Sequence, residues 1–440
     1  MRAGHSAEDQ GQLVATPPLE TIEAVVVVPV RDEAATLPAT LNALASQLDL
    51  SGRRLGPERY EIILLANNCE DASASVAREW ARCHPRTLLH IIERTLAPPD
   101  AHIGHVRRLL MDDACARLEA VGRRRGIIVS TDSDSTVHPT WLAATLLEVR
   151  LGADAVGGRI LVHPPNERRD RADDSWHYHL RDVGYRLLAA AYESCLDPDP
   201  ADPRPRHHQH FGASMAVTPE AYRRAGGLPP EPALEDMAFE RALRRVDTRL
   251  RHSPLVCVTT SARSTGRTPI GLATQLAEWD VMARERAPYL VESAPAIAAR
   301  VRAHRDLRAH WLSARSGGRH SGPTVDLLAD RLGLSARWLG DLMTQSADDR
   351  SPFGALDELV SEGQHIDGQW AARWPRVDVI AAIASLRQVV SLRGMVSPRL
   401  SASSGALEEI ETVARRTTAA PMIDIVNGAG QKSIVDVVTG

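Results

Sequence analysis

The run from Ile128 to His138, IVSTDSDSTVH, ends an apolar strand-like segment in Asp132 and Asp134, two carboxylates separated by a single serine. A strand leaving a parallel sheet can aim both into the crevice beyond its carboxyl end, where open α/β sheets bind ligands. Paired hard oxygen ligands in that place suit a hydrated Mg²⁺ or Mn²⁺ held against a diphosphate. Two exposed loop aspartates would be written in the same letters, so the pair needs support from the rest of the chain. Two histidine runs, HYH at 177–179 and HHQH at 207–210, are weaker metal signals, since neither brings further ligands with it. The second directly precedes the segment FGASMAV.

The elements that must position the aspartates can be read from periodicity. Glu23 to Pro29 is a buried strand, and a helix begins near Thr36 with Leu37, Leu41, Leu44 and Leu48 on one face. Thr36 suits an N-cap, and Pro38 falls in the first turn, where its missing N–H is harmless. Strands at Tyr60 to Ala66, Thr87 to Ile92 and Gly126 to Thr131 alternate with helices at Ala72 to Arg82 and Gly104 to Val121. This β-α-β-α-β-α-β order predicts a mostly parallel sheet covered by helices, with function at the strand ends. A further strand at Asp154 to Val162 and a helix through His177 to Tyr192 lead to the long loop LDPDPADPRPRHHQH. Beyond Gly271 the texture turns helical, at Leu272 to Tyr289, Ala296 to Trp311, Thr324 to Thr344, Val377 to Leu392 and Ala406 to Thr418. The third of these, TVDLLADRLGLSARWLGDLM, has a helix-turn-helix texture. Three divisions follow: a polar flexible tail over 1–21, an α/β domain over 22–270 and a helical region over 271–440.

Composition narrows the function classes. In 440 residues, 52 Lys and Arg face 56 Asp and Glu, and the resulting net charge of −4 predicts neither a nucleic-acid surface nor an acidic tail. An anionic ligand must then be held by local charges. The longest apolar run, Ala24 to Val30, is too short to cross a bilayer, and MRAGHSAEDQGQ lacks a signal-peptide core, so the expectation is a cytoplasmic protein without a transmembrane segment. Five widely spaced cysteines suit neither zinc nor a disulfide framework and are expected to be reduced. A homo-oligomer is left open.

Taken together, separated segments resemble family 2 of the nucleotide-sugar-dependent glycosyltransferases, over residues 23 to 268. The resemblance implies an α/β chain of the GT-A type, a mostly parallel twisted sheet with helices on both faces, followed here by an α-helical C-terminal region. It also implies a nucleotide-diphosphate sugar donor, a small-molecule or carrier-borne acceptor, and Mg²⁺ or Mn²⁺. In VVVVPVRDEAATLPATLNAL, Pro29, Val30, Arg31 and Glu33 match the segment that lines the donor base and ribose. Glu33 is also compatible with an acidic residue placed near a helix N-terminus. In ILLANNCEDAS the family has Asp where Asn67 and Asn68 stand; an Asn also donates, which bears on base preference. Asp71 and Ser73 suit helix caps as well.

GHVRRLLMDDA is similar to the segment that leads a basic side chain to the diphosphate, with Arg107 the first choice and Arg108 the second. In DSD the resemblance implies that Asp134 holds the metal and that Asp132 and Ser133 contact the donor, Asp132 also reaching the metal. FGASMAVTPEAYRRAGGLP resembles the acceptor-side segment, with Gly212, Ala213 and Ser214 beside the acceptor. LEDMAFERALRR matches the Glu-Asp pair of inverting members, which implies Asp236 as general base and Glu235 as its neighbour near the acceptor. Two carboxylates favoured by a helix dipole would look the same. Ser261 stands where a metal-binding His is expected, and Arg263 and Arg267 are left as diphosphate contacts.

The leading reading is an inverting, metal-dependent sugar transferase. Its rivals are a retaining enzyme of the glycerate or phosphoglycerate type, a sugar-phosphate nucleotidyltransferase, and a degenerate nucleotide-binding scaffold that works through its C-terminal helices. PVRDEAAT lacks the Gly-rich basic segment that the nucleotidyltransferase needs.

Overall fold

The apolar run AVVVVPV forms β1 (Ala24–Val30), and every residue of it is buried. Such a strand belongs inside a parallel sheet, and β1 has a parallel neighbour on each side. The computed structural model describes residues 12–162, 172–261, 270–315, 322–348, 351–367 and 369–392. After β1 come α1 (Leu37–Ala45), β2 (Tyr60–Asn67), α2 (Ser73–Cys83), β3 (Leu89–Arg94), α3 (Ile103–Ala120), β4 (Ile127–Ser130), β5 (Ser135–Val137), α4 (Trp141–Arg150) and β6 (Ala155–Val162). Then follow α5 (Ala172–Leu196), β7 (Met215–Val217), α6 (Pro219–Arg224), α7 (Glu235–Arg245) and β8 (Leu250–Thr260). The remainder is α8 (Leu272–Glu285), β9 (Leu290–Val291), α9 (Ala294–Arg315), α10 (Val325–Leu332), α11 (Ala336–Asp348), α12 (Phe353–Asp367), α13 (Gln369–Arg373), β10 (Val377–Asp378) and α14 (Val379–Leu392).

The main sheet has the order β3-β2-β1-β4-β7-β6-β8-β5. Its first four strands are parallel, and β7 is antiparallel to both β4 and β6, so β6 runs with the first four. This is the mostly parallel α/β sheet that the alternating pattern predicts. Pro29 is tolerated in a central strand because the β4 ladder ends with Ser130 opposite Val27, short of the proline.

Register then gathers the site at one edge. Val30, Asn67 and Ser130 end parallel strands on the same side. Ser130 pairs with Met215 on the opposed strand β7, which brings the turn Gly212–Ser214 to that edge as well. Ser135 pairs with Thr260, which sets Ser261 beside Asp134.

The chain forms two compact units, one of Met1–Val162, His210–Leu243 and Val256–Ser261, the other of His163–Gln209, Arg244–Leu255 and Ala262–Gly440. The expected boundary at 271 divides the chain differently, because α5 packs with α8, α9 and α14. In the second unit Tyr185, Leu188 and Tyr192 of α5 share one apolar cluster with Ile297, Val379 and Leu386. Leu307 and Trp311 of α9 share another with Leu328, Leu332, Leu339 and Val360. Thr324 to Thr344 is two helices, α10 ending at Gly333 in the left-handed region (φ 70°). Val377 and Asp378 pair with β9 before α14 begins. Ala406 to Thr418 lies outside the described residues.

The tail expected to be flexible is held in its described part. The Leu13 N–H donates to Asp113 at 2.9 Å, and Arg117 donates to the Thr16 carbonyl at 2.7 Å. Buried polar groups on α3 need partners, and this backbone supplies them.

Candidate functional site

Arg107, on α3, is 2 % exposed and reaches three segments at once. Its Nη1 donates to Ser130 Oγ at 2.7 Å and to the Gly212 carbonyl at 2.8 Å, and its Nη2 donates to Asp132 Oδ1 at 3.0 Å. Nε lies 3.2 Å from Glu235 Oε1 as an ion pair. Burial opposes the guanidinium charge, but Asp132, Glu235 and Asp236 outweigh it and hold the pKa above the ordinary arginine value. Glu235, 5 % exposed, is destabilised as a carboxylate: burial pushes its pKa up, and Arg107 offsets this only in part.

Asp236 is half-buried. Its Oδ2 accepts the Gly212 N–H at 2.9 Å and its Oδ1 accepts the Met237 N–H at 2.8 Å. The residue that leads into this pair, Leu234, has φ 56°, a conformation that costs of order 1–3 kcal/mol and gathers at functional sites. The Gly212–Ser214 turn is buried, and Ser214 Oγ accepts the Trp141 indole N–H at 3.0 Å. Gly212 is therefore in contact with both Asp236 and Arg107 through its own peptide groups.

Along Thr131–Ser135 burial alternates, with Asp132 and Asp134 the more exposed. Ser133 is buried, and its carbonyl accepts from Thr40 Oγ1 at 2.9 Å, which fixes the loop to α1. Asp134 Oδ2 accepts from Ser261 Oγ at 3.1 Å. The hydroxyls of Thr131 and Ser135, which flank the pair, are buried with no hydrogen-bond partner among the described residues. The donor set is thus all oxygen, which fits a hard divalent cation such as Mg²⁺ or Mn²⁺.

Toward β1 and β2, Glu33 is buried; its N–H donates to Ser73 Oγ at 2.8 Å and its carboxylate accepts from Thr36 Oγ1 at 2.8 Å. Thr36 therefore spends its hydroxyl on Glu33 and makes no side-chain cap. Pro29 and Val30 are buried strand residues, whereas Arg31 is exposed and donates to the Ala101 carbonyl at 3.3 Å. Asn67 ends β2 at 4 % exposure with Oδ1 unpartnered among the described residues. Asn68, in the left-handed region at φ 48°, clasps the backbone of Leu96 with both ends of its amide. Asp32, Cys69 and Asp71 stand within ligand distance of one another. Asp32 and Asp71 nonetheless accept local backbone N–H groups, from Glu70 and Ser73 respectively.

Several other expected residues have partners of their own. Arg108 pairs with Asp112 at 2.7 Å and donates to the Gly226 and Leu228 carbonyls. His179 is buried beside Trp176 and Trp279, and burial lowers its pKa. His207 is bonded to the Ser253 carbonyl at 3.0 Å, and His210 lies 2.7 Å from Glu240. Arg263 and Arg267 lie outside the described residues. Sequence reasoning missed Ser130, Thr40 and Trp141, single polar or aromatic residues whose partners are remote in the chain and leave no local signal.

No protein-family model matches the chain, and no curated protein matches it. Among solved structures it is similar to a mannosyltransferase from Pyrobaculum calidifontis in complex with GDP-Man and Mn²⁺, at 16% identity over 86% of this chain and 88% of that one, with a TM-score of 0.37. It is similar to S. aureus TarS (1-349) at 10% identity over 80% and 91%, TM-score 0.39. A third is M. tuberculosis glucosyl-3-phosphoglycerate synthase with Mn²⁺, UDP-glucose and glycerol 3-phosphate, at 18% identity over 73% and 88%, TM-score 0.32.

Proposed function

We propose that this chain is a metal-dependent glycosyltransferase that moves a sugar from a nucleotide-diphosphate donor to a hydroxyl acceptor, with inversion. The observation that carries the reading is the joining of two carboxylate pairs at one sheet edge. Asp132 and Asp134 leave β4, Glu235 and Asp236 open α7, Arg107 touches Asp132 on one side and Glu235 on the other, and Gly212 ties Arg107 to Asp236. No helix among the described residues is long and apolar enough to cross a membrane.

In this reading Asp236 accepts the acceptor's hydroxyl proton as that oxygen bonds to the anomeric carbon. The bond from the anomeric carbon to the diphosphate breaks, and the nucleoside diphosphate leaves with the electron pair. The Gly212 and Met237 N–H groups hold the two Asp236 oxygens in place, one each, and each oxygen keeps a further lone pair with which to take a proton. Asp132 and Asp134 would hold the cation, with Ser261 steadying Asp134. Mg²⁺ or Mn²⁺, when bound there, neutralises charge developing on the departing diphosphate. Ser133 and Arg263 remain proposed donor contacts; Pro29, Val30, Arg31, Glu33 and Asn67 would line base and ribose. The Asn67 oxygen is suited to accept a base N–H. Ala213 and Ser214 would border the acceptor.

The test is release of nucleoside diphosphate from UDP- and GDP-sugars with Mg²⁺ or Mn²⁺, in wild type and Asp236→Asn. The variant is expected to lose roughly 10²- to 10⁴-fold in turnover, the share a positioned base supplies. Its donor-induced rise in melting temperature should persist. Full turnover in Asp236→Asn would remove Asp236 from the role, and a product that keeps the donor's anomeric configuration would point to a retaining enzyme.

A further inference from the structure

Arg107 is the residue that the resemblance places at the diphosphate, yet three of its four terminal N–H groups are already taken by the protein, and Glu235 stands beside Nε as an ion pair without a hydrogen bond. Those three go to Ser130, the Gly212 carbonyl and Asp132. Gly212 shows how closely this packing is set. A Cβ built there would lie 2.6 Å from both Nη1 and Nη2, well inside contact distance, so any side chain at 212 must push the guanidinium away. The same Gly212 gives its N–H to Asp236.

We propose that Arg107 is a positioning residue that fixes the Asp132 strand end, the Gly212 turn and the Glu235–Asp236 helix start in one frame, and that residue 212 is glycine to admit it. This rests on the transferase reading and deepens it. The planar fork of Arg suits the task, since it presents several donors in fixed directions, whereas a Lys ammonium would satisfy them one or two at a time. Arg107 reaches Asp236 through Gly212, and so it shapes the step in which the acceptor is deprotonated more than the binding of the nucleotide.

The experiment compares Arg107→Gln, Arg107→Lys, Gly212→Ala and the double variant Arg107→Gln/Gly212→Ala. Turnover is measured with the best wild-type donor, and UDP and GDP binding is measured by calorimetry with Mn²⁺. Expected is a loss in kcat of tenfold or more with nucleotide Kd within threefold of wild type. Arg107→Lys should rescue little. Gly212→Ala should show the same split, and the double variant should be no worse than the more damaged single one, because both changes remove the same contact. A diphosphate contact predicts the reverse pattern: nucleotide Kd weakened tenfold or more, substantial rescue by Lys, and independent losses in the double variant. That outcome overturns the proposal. Should Arg107→Gln fail to fold, Arg107→Lys and Gly212→Ala still read the same split. Nucleotide binding needs no turnover, so wild-type inactivity with every donor would count against the transferase reading, whereas lost nucleotide binding in the Arg107 variants would count against the positioning role alone.

Discussion

Glu235 and Asp236 are neighbours in sequence with opposite surroundings, and the difference has a measurable consequence. Burial raises the Glu235 pKa above the ordinary 4.5, with Arg107 opposing. A carboxyl raised in the folded state leaves stability intact below the unfolded pKa and loses it as pH climbs from 4.5 through the folded value. Glu235→Gln removes that loss. Urea unfolding should therefore show the variant gaining on wild type between pH 4 and pH 7.5, by on the order of 1 kcal/mol for every tenfold by which the fold weakens this acid. A difference that does not change with pH would mean that Glu235 ionises freely in the fold. At this scale the sequence shows residue types well: paired carboxylates recur along the chain, and DSD and LED were legible because the first ends a readable strand, the second opens a readable helix, and other segments of the resemblance accompany them. What it hides is who holds them. Arg107 finds Ser130 and Gly212 at separations of 23 and 105 residues, and nothing in RRLL distinguishes a buried hub from a solvated pair; Arg108, the next residue, bonds instead to Asp112 and two carbonyls.

Elements were legible where periodicity is long. β1, β2, α2, α3 and β4 lie within a residue or two of the expected spans, and β3 starts two residues later than expected. The three-residue strands β5 and β7 are too short for alternation to register, although they set the register that brings Ser261 and Gly212 to the site. α4 escaped notice because WLAATLLEVR is apolar nearly all round, as a buried helix should be, and so lacks an amphipathic stripe. One tie between elements is open to test. Arg117 of α3 and Glu61 of β2 are 1 % and 2 % exposed as side chains and form a two-pronged pair at 2.5 and 2.7 Å. Burial penalises the Glu61 charge, but hydrogen bonds from Arg117 and His90 overcome the penalty and lower its pKa. Arg117→Met would strand that carboxylate in the core and should cost about 3–5 kcal/mol. The double change Arg117→Met/Glu61→Leu should recover much of the loss, since an apolar pair of similar size avoids desolvation altogether. Equal unfolding free energies for the single and double variants would show that the pair does not behave as a buried one.

For the whole molecule, helical texture beyond Gly271 was visible, but the grouping of α5 with those helices was not, because a helix's apolar face does not name its partner. Packing places α5 and the C-terminal helices in one unit around two apolar clusters. Of the chain's eight tryptophans, Trp176, Trp279, Trp311, Trp338, Trp370 and Trp374 belong to that unit, so fluorescence during urea unfolding reports mainly on it. Leu307 is fully buried in the same cluster as Trp311. Leu307→Ala removes buried methyl groups and leaves a cavity between helices that cannot close without moving one another. It should destabilise the fluorescence-detected transition by about 2–5 kcal/mol. The slope with denaturant should stay constant if the native and unfolded states keep their compactness. A loss below about 1 kcal/mol would mean that α9 can collapse onto the gap, as a loosely packed helix would, since the cost of such a truncation depends on how well the site relaxes. The larger value would mean that the cluster is closed and that the helices after Gly271 form a core of their own rather than a string of independent segments.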